Sequence, residues 1–158
     1  MSANAVQPQK SSIGGLDANV MALIAYVAST VLAWIPGIRY VAWLAPLVIF
    51  FLEKDSLFVR FHAMQSFVLN AIGTIFYFLI SVILGGIALA SITSMSGAYA
   101  ALVIMGLVTA VTFIISIVFT VFAIIALIQA YKYKEYRIPL VAGITDKLIA
   151  MFRGAAAK

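Results

Sequence analysis

The sequence predicts an all-α polytopic membrane protein with four transmembrane helices and both termini in the cytoplasm. Of its 158 residues, 65% are hydrophobic and only 9% are charged, whereas soluble domains have about 45–50% and about 25%. A soluble domain of this length leaves too much surface in water to hide so many apolar side chains. The charged residues also lie in the tails and in short segments between long uncharged tracts. Lipid is therefore the expected solvent for most of the chain.

The uncharged tracts define four predicted spans within a transmembrane domain of residues 18–131. The spans cover residues 18–35, 40–53, 63–90 and 98–130. The second tract makes only about 20 Å of helix, against a hydrocarbon core of about 30 Å, and Pro46 is expected to kink it. A re-entrant hairpin with the first tract is the alternative to a crossing. We favour the crossing, because the distribution of basic residues requires it.

Basic residues set the predicted orientation. With four crossings, the side that holds both termini carries nine of them, namely Lys10, Lys54, Arg60, Lys132, Lys134, Arg137, Lys147, Arg153 and Lys158. The other side carries Arg39 alone. Lysine and arginine accumulate on the cytoplasmic side of membrane proteins. The sequence therefore predicts cytoplasmic termini in a multi-pass protein of the inner (plasma) membrane.

The two tails differ in character. Residues 1–17 are small and polar, and they predict a disordered cytoplasmic tail, with Asp17 or Asn19 capping the first helix. Residues 132–158 form a predicted basic interfacial tail. Within it, Ile144–Phe152 has the pattern of a short amphipathic helix that lies on the membrane.

The charged stretch of residues 53–66 organises the chain, since it holds the single histidine between two apolar tracts. Ser56 is the predicted N-cap of the third helix. We predict an interfacial hub made by Arg60, His62, Gln65, Glu135 and Arg137, in which Arg60 pairs with Glu135. His62 has two interpretations, a proton-linked or substrate-contacting residue and a structural histidine bonded to a helix neighbour. The second is favoured.

A polar stripe follows on the third helix. Residues 100° apart in projection fall on one face at Ser66, Asn70, Thr74, Tyr77 and Ser81. Such a stripe can line a polar path, or it can form hydrogen bonds between helices. We favour hydrogen bonding, which is its commoner use inside membranes.

The residue inventory argues against catalysis. With one histidine, no cysteine and no carboxylate in the interior of a span, neither an acid–base pair nor a metal site is expected at membrane depth. The protein is thus predicted not to be an enzyme and to bind no cofactor. Its basic residues form no stripe for nucleic acid. Expected partners are the lipid bilayer, other membrane proteins or further copies of the chain. A scaffold or assembly module is the preferred function, and an oligomeric channel or protein-translocation component is the alternative.

Two motifs also carry a resemblance. Residues 53–66, with Glu53-Lys54-Asp55-Ser56 followed by Phe58 to Ser66, resemble the hallmark of a family of small prokaryotic membrane proteins of unknown function. The segment from Gln129 to Gly143 resembles the same family's C-terminal motif. This Tic20-like family is related to the twenty-kilodalton subunit of the chloroplast Tic translocon. The resemblance implies four helices, and it implies protein import for the plastid branch alone.

Overall fold

The computed structural model describes residues 3–156 and is all-α except for one small two-stranded sheet. This confirms the predicted all-α class. The helices are α1 (Ala18–Leu32), α2 (Ala45–Leu52), α3 (Leu57–Ser91), α4 (Met95–Tyr131) and α5 (Val141–Ala156). The strands are β1 (Ala3–Ala5) and β2 (Lys134–Tyr136), and two short 3-10 turns cover Ile38–Tyr40 and Ala42–Leu44.

Helices α3 and α4 are long and apolar enough to cross a membrane, by length and composition. Their 35 and 37 residues extend about 50 Å and about 55 Å, more than a hydrocarbon core of about 30 Å. Only 6% of the most apolar window of each helix is buried. A core helix of a soluble domain would be covered over most of this length, so the exposure favours lipid as the solvent.

The first two predicted spans are shorter in the structure. Helix α1 has 15 residues, about 22 Å, and ends before Pro36 and Gly37, whose φ of +86° turns the chain. The predicted span over residues 40–53 contains 3-10 turns followed by the eight-residue α2. Pro46 lies in the first turn of α2, where its missing amide is tolerated. It therefore starts this helix instead of kinking it.

The N-terminal segment differs from the predicted disordered tail. Strand β1 pairs antiparallel with β2, with Asn4 opposite Glu135. Lys10 forms an ion pair of 2.7 Å with Asp17, and Asp17 makes no side-chain cap on α1. The side-chain oxygen of Asn19 accepts a hydrogen bond from the Val20 amide in the first turn of α1 at 2.9 Å, and its side-chain amide donates to the backbone oxygen of Tyr131 at 3.1 Å. The polar segment thus finds its hydrogen-bond partners elsewhere in the fold.

The C-terminal helix begins earlier than predicted and packs on protein. Val141, Ala142 and Thr145 are buried on one face of α5. The ring of Phe152 lies 5.8 Å from that of Phe50 and 5.1 Å from that of Phe51. Ile144 and Met151, two of the apolar residues predicted to face the membrane, remain exposed.

The chain divides into two compact units. The first contains residues 1–71 and 122–158, of which 3–71 and 122–156 are described. Its core joins α1, the start of α3 and the end of α4 through the cluster Ala18, Met21, Ala22, Phe58, Val59 and Ala130. Ser56 begins α3 as predicted, since its hydroxyl accepts a hydrogen bond from the Val59 amide at 3.2 Å.

The second unit, Ile72–Val121, consists of the facing parts of α3 and α4 with their connecting turn. The Ser94 hydroxyl accepts a hydrogen bond from the Gly97 amide at 3.1 Å and so caps α4. A β-carbon on Gly97 would lie 1.8 Å from the Ser91 backbone oxygen. Only glycine fits this tight turn.

Candidate functional site

Gln65 is the centre of a buried polar cluster at the start of α3. Its side-chain amide donates to the hydroxyl of Tyr26 and to the backbone oxygen of Tyr136, both at 2.9 Å. Its side-chain oxygen accepts from the amide of Ile138 at 3.1 Å. Gln65 therefore links α3 to α1 and to the segment at the end of β2. Of the residues in the predicted hub, it makes the most hydrogen bonds to other segments of the described chain.

His62 lies beside Gln65 and is completely enclosed. Its Nδ1 is 3.2 Å from the Tyr26 hydroxyl, and the Phe58 ring centre is 4.5 Å away. The sequence interpretation placed this histidine near the surface with a neighbour on its own helix. The partner instead comes from α1. Tyr26 was missed, although Ala22, Tyr26 and Ser29 recur at helical spacing on the buried face of α1.

The predicted pair between Arg60 and Glu135 is not formed. Among the described residues, Arg60 makes no ion pair, and its guanidinium lies over the Phe50 ring with the carbon 4.6 Å from the ring centre. Arg137 pairs with Asp146. Burial raises the pKa of the Glu135 carboxyl, and the nearby Arg137 charge only partly opposes this. The prediction that Arg60 and Glu135 lie at the same membrane interface was thus not enough to predict that they form an ion pair.

A second polar feature, which we call the Glu53 clasp, was not predicted from the sequence. The buried Glu53 carboxylate accepts five hydrogen bonds, from the Ser11 hydroxyl, from the Ser12 amide and hydroxyl, and from the amides of Asp55 and Ser56. The Ser12 contacts measure 3.0 and 2.8 Å. Burial alone would raise the pKa of Glu53, but these donors hold it at about 2. The clasp fixes the N-terminal segment to the loop before α3.

The predicted polar stripe on α3 divides into two parts. The Ser66 hydroxyl donates to the Ala25 backbone oxygen at 2.8 Å, and Asn70 donates to the Ser66 backbone oxygen at 2.9 Å. Farther along, Thr74 and Tyr77 are exposed, and Ser81 is half-buried. Ser66 thus binds the neighbouring helix as favoured above, while the later residues have no such contact among the described side chains.

Carboxylates are confined to the first unit, since residues 72–121 contain no charged residue. Within residues 3–156, no group of three or more histidine, aspartate or glutamate side chains could hold a metal ion. The chemistry that the polar cluster offers is hydrogen bonding between segments of one chain.

The long exposed apolar helices, with polar contacts concentrated where α3 begins, are the features expected of an α-helical membrane protein. Residues 17–145 match the MamF/MmsF family, the magnetosome magnetite crystal formation protein family. The chain therefore belongs to this family of magnetosome membrane proteins involved in crystal formation. No curated protein and no solved structure matches it.

This membership corrects the Tic20-like resemblance, which was wrong. Both motifs that carried the resemblance, residues 53–66 and 129–143, lie within the matched range. A charged loop before a long helix and a basic aromatic segment after the last span are what any small multi-span protein needs at the interface. Such features did not distinguish one family from the other.

Proposed function

We propose that this chain is a non-catalytic scaffold of the magnetosome membrane, on which other membrane proteins or further copies of the chain assemble. One observation carries the proposal. The buried Gln65 is engaged, through both its side-chain amide and its side-chain oxygen, with the chain's own segments. Side chains committed in this way stabilise a fold, whereas a catalytic group needs access to a substrate.

The surface of the second unit supports the same function. It carries no charge and exposes large apolar side chains along both helices. On α4, the hydroxyls of Thr109, Ser116 and Thr120 bond to their own helix backbone. A face of small residues whose hydroxyls are satisfied lets a neighbouring helix approach closely.

The proposal includes the predicted topology. Four crossings with both termini cytoplasmic place nine basic residues on one side and Arg39 on the other. The chain is then multi-pass in the inner membrane or in the magnetosome membrane. Helices α1 and α2 are short for a full crossing, so local thinning of the bilayer and snorkelling of flanking side chains accompany this arrangement.

An oligomeric channel or translocation component is the second candidate. It is favoured by the exposure of Thr74 and Tyr77, polar residues on an otherwise apolar helix. Four helices cannot surround a wide pore alone, so this function requires several copies or partner proteins. It predicts conductance that changes when Thr74 is replaced by phenylalanine.

Co-purification from native membranes, with partners identified by mass spectrometry, tests the scaffold. Ser116→Phe adds bulk to the small-residue face of α4. Val118→Phe adds similar bulk to an exposed position on another face and serves as the matched control. We expect Ser116→Phe to lose stoichiometric partners or self-association and Val118→Phe to retain them. Equal yields from both variants, together with conductance by the purified wild type in planar bilayers, would favour the channel.

A further inference from the structure

Arg60 is a cation with no counter-ion in the part of the chain that the structure describes. It lies in the first turn of α3, and its side chain is half-buried. Its Nε is buried and has no hydrogen-bond partner. The guanidinium carbon lies over the ring of Phe50, a fully buried residue. The ring stabilises the cation electrostatically but accepts no conventional hydrogen bond, and the Arg60 N–H groups have no such bond among the described residues.

The acidic residues of the first unit do not supply the missing anion. The Glu53 carboxylate accepts five donors in the clasp. Asp146 pairs with Arg137, and Asp17 pairs with Lys10. Neither Asp55 nor Glu135 forms an ion pair with Arg60. A partly buried guanidinium without a partner is unfavourable, and an anion from outside the chain would remove this cost.

The position of Arg60 indicates which anion this is. The apolar helix that continues from this turn is long enough to cross a membrane, which brings its first turn close to the lipid headgroups. Planar guanidinium donors match two oxygens of a phosphate. Contact with the Phe50 ring already holds the guanidinium in place, so less side-chain freedom is lost when an anion binds.

We propose that Arg60, held against Phe50, binds a phosphate group, and that the source of this phosphate is the headgroup of a phospholipid. Arg60 then anchors the cytoplasmic end of α3 to one lipid. The site is separate from the scaffold face on α4, and each can fail without the other.

Native mass spectrometry of the full chain in maltoside micelles, which contain no phosphate, tests the site. Dioleoylphosphatidylglycerol is titrated into wild type, Arg60→Ala and Lys147→Ala. The control removes an exposed cation that has no ion pair among the described residues. A charge-assisted hydrogen bond corresponds to about tenfold in affinity or more. We expect Arg60→Ala to bind the first lipid about tenfold more weakly, with little change for Lys147→Ala.

Two further measurements keep the test decisive. Arg60→Lys retains the charge but loses the planar pair of donors, so we expect intermediate lipid binding without a lower melting temperature in lipid-free micelles. Inorganic phosphate is titrated at constant ionic strength as a separate arm. Arg60-dependent stabilisation by inorganic phosphate, without selective lipid binding, would assign the site to a soluble anion. Equal lipid affinity in wild type and Arg60→Ala would overturn the proposal.

Discussion

Replacing Glu53 with glutamine should release the N-terminal segment with almost no change in side-chain shape. The Glu53 carboxylate accepts hydrogen bonds on both oxygens, from Ser11 on one and from Ser12, Asp55 and Ser56 on the other. A glutamine amide keeps one acceptor oxygen but turns an NH₂ group towards some of these donors. The substitution therefore removes the charge and leaves at least one donor facing another donor.

The pKa of Glu53 gives the size of the effect. It falls from an ordinary 4.5 to about 2, which corresponds to about 3 kcal/mol at most. Because glutamine keeps one acceptor oxygen for these donors, we expect the substitution to lose about 1–2 kcal/mol of folding free energy. The folded-state pKa lies below the unfolded value. The stabilisation is therefore complete above pH 4.5 and disappears as the pH falls towards about 2.

Thermal unfolding in maltoside micelles measures this difference, and Asp55→Asn is the matched control. Asp55 is the exposed acid two residues away. The control makes the same change of charge but keeps the Asp55 backbone amide that donates to Glu53. At pH 7 we expect Glu53→Gln to melt about 2–6 °C below wild type and to be cut faster by trypsin after Lys10. The gap should close between pH 4.5 and 2. If Glu53→Gln has the same melting temperature as Asp55→Asn, or if its difference in melting temperature from wild type does not depend on pH, the clasp does not stabilise the fold.

Three other predictions follow from the polar cluster and the topology. Gln65→Leu removes the hydrogen bonds of Gln65 with the Ile138 amide and the Tyr136 backbone oxygen, so we expect the free energy of unfolding in detergent to fall by about 2–4 kcal/mol. The control Gln129→Leu makes the same chemical change and should lower it by less than about 1 kcal/mol. Arg60→Ala and Glu135→Ala should give additive losses, because no ion pair joins them, and a double mutant clearly more stable than the sum would restore the pair. Reporters fused after Gly14, Gly37, Ser94 and Gly154 should report cytoplasmic, outside, outside and cytoplasmic locations, in that order. A cytoplasmic signal from the fusion after Gly37 would show that α1 does not cross the membrane.

The all-α class and the long helices could be predicted because composition and uninterrupted apolar length depend on no tertiary contact. The start of α3 at Ser56 was predicted for the same reason, since an N-cap is a local signal. The predicted second span was less accurate. The sequence records the absence of charge between residues 40 and 53, but Gly37 and Pro46 decide where the helix begins within that tract.

The partners of the polar residues could not be predicted, because they are distant in sequence. Gln65 contacts the backbone near residue 136, and Glu53 contacts Ser11 and Ser12, 42 and 41 residues away. The polar N-terminal segment predicts disorder when its apolar content alone is considered. The segment is ordered in the structure because Ser11 and Ser12 donate hydrogen bonds to the Glu53 carboxylate and because β1 pairs with β2. Amino-acid composition does not predict these specific contacts.

The distribution of these contacts limits how the protein can recognise a partner. The Glu53 clasp, the Gln65 contacts and the ion pairs of Lys10 and Arg137 all lie in the first unit. Residues 72–121 have no charge with which to select a partner. Recognition there depends on shape and close packing, so bulk on the small-residue face of α4 should matter more than any change of charge. A partner that binds through charge must instead reach the first unit, where the exposed lysines outnumber the acids left unpaired.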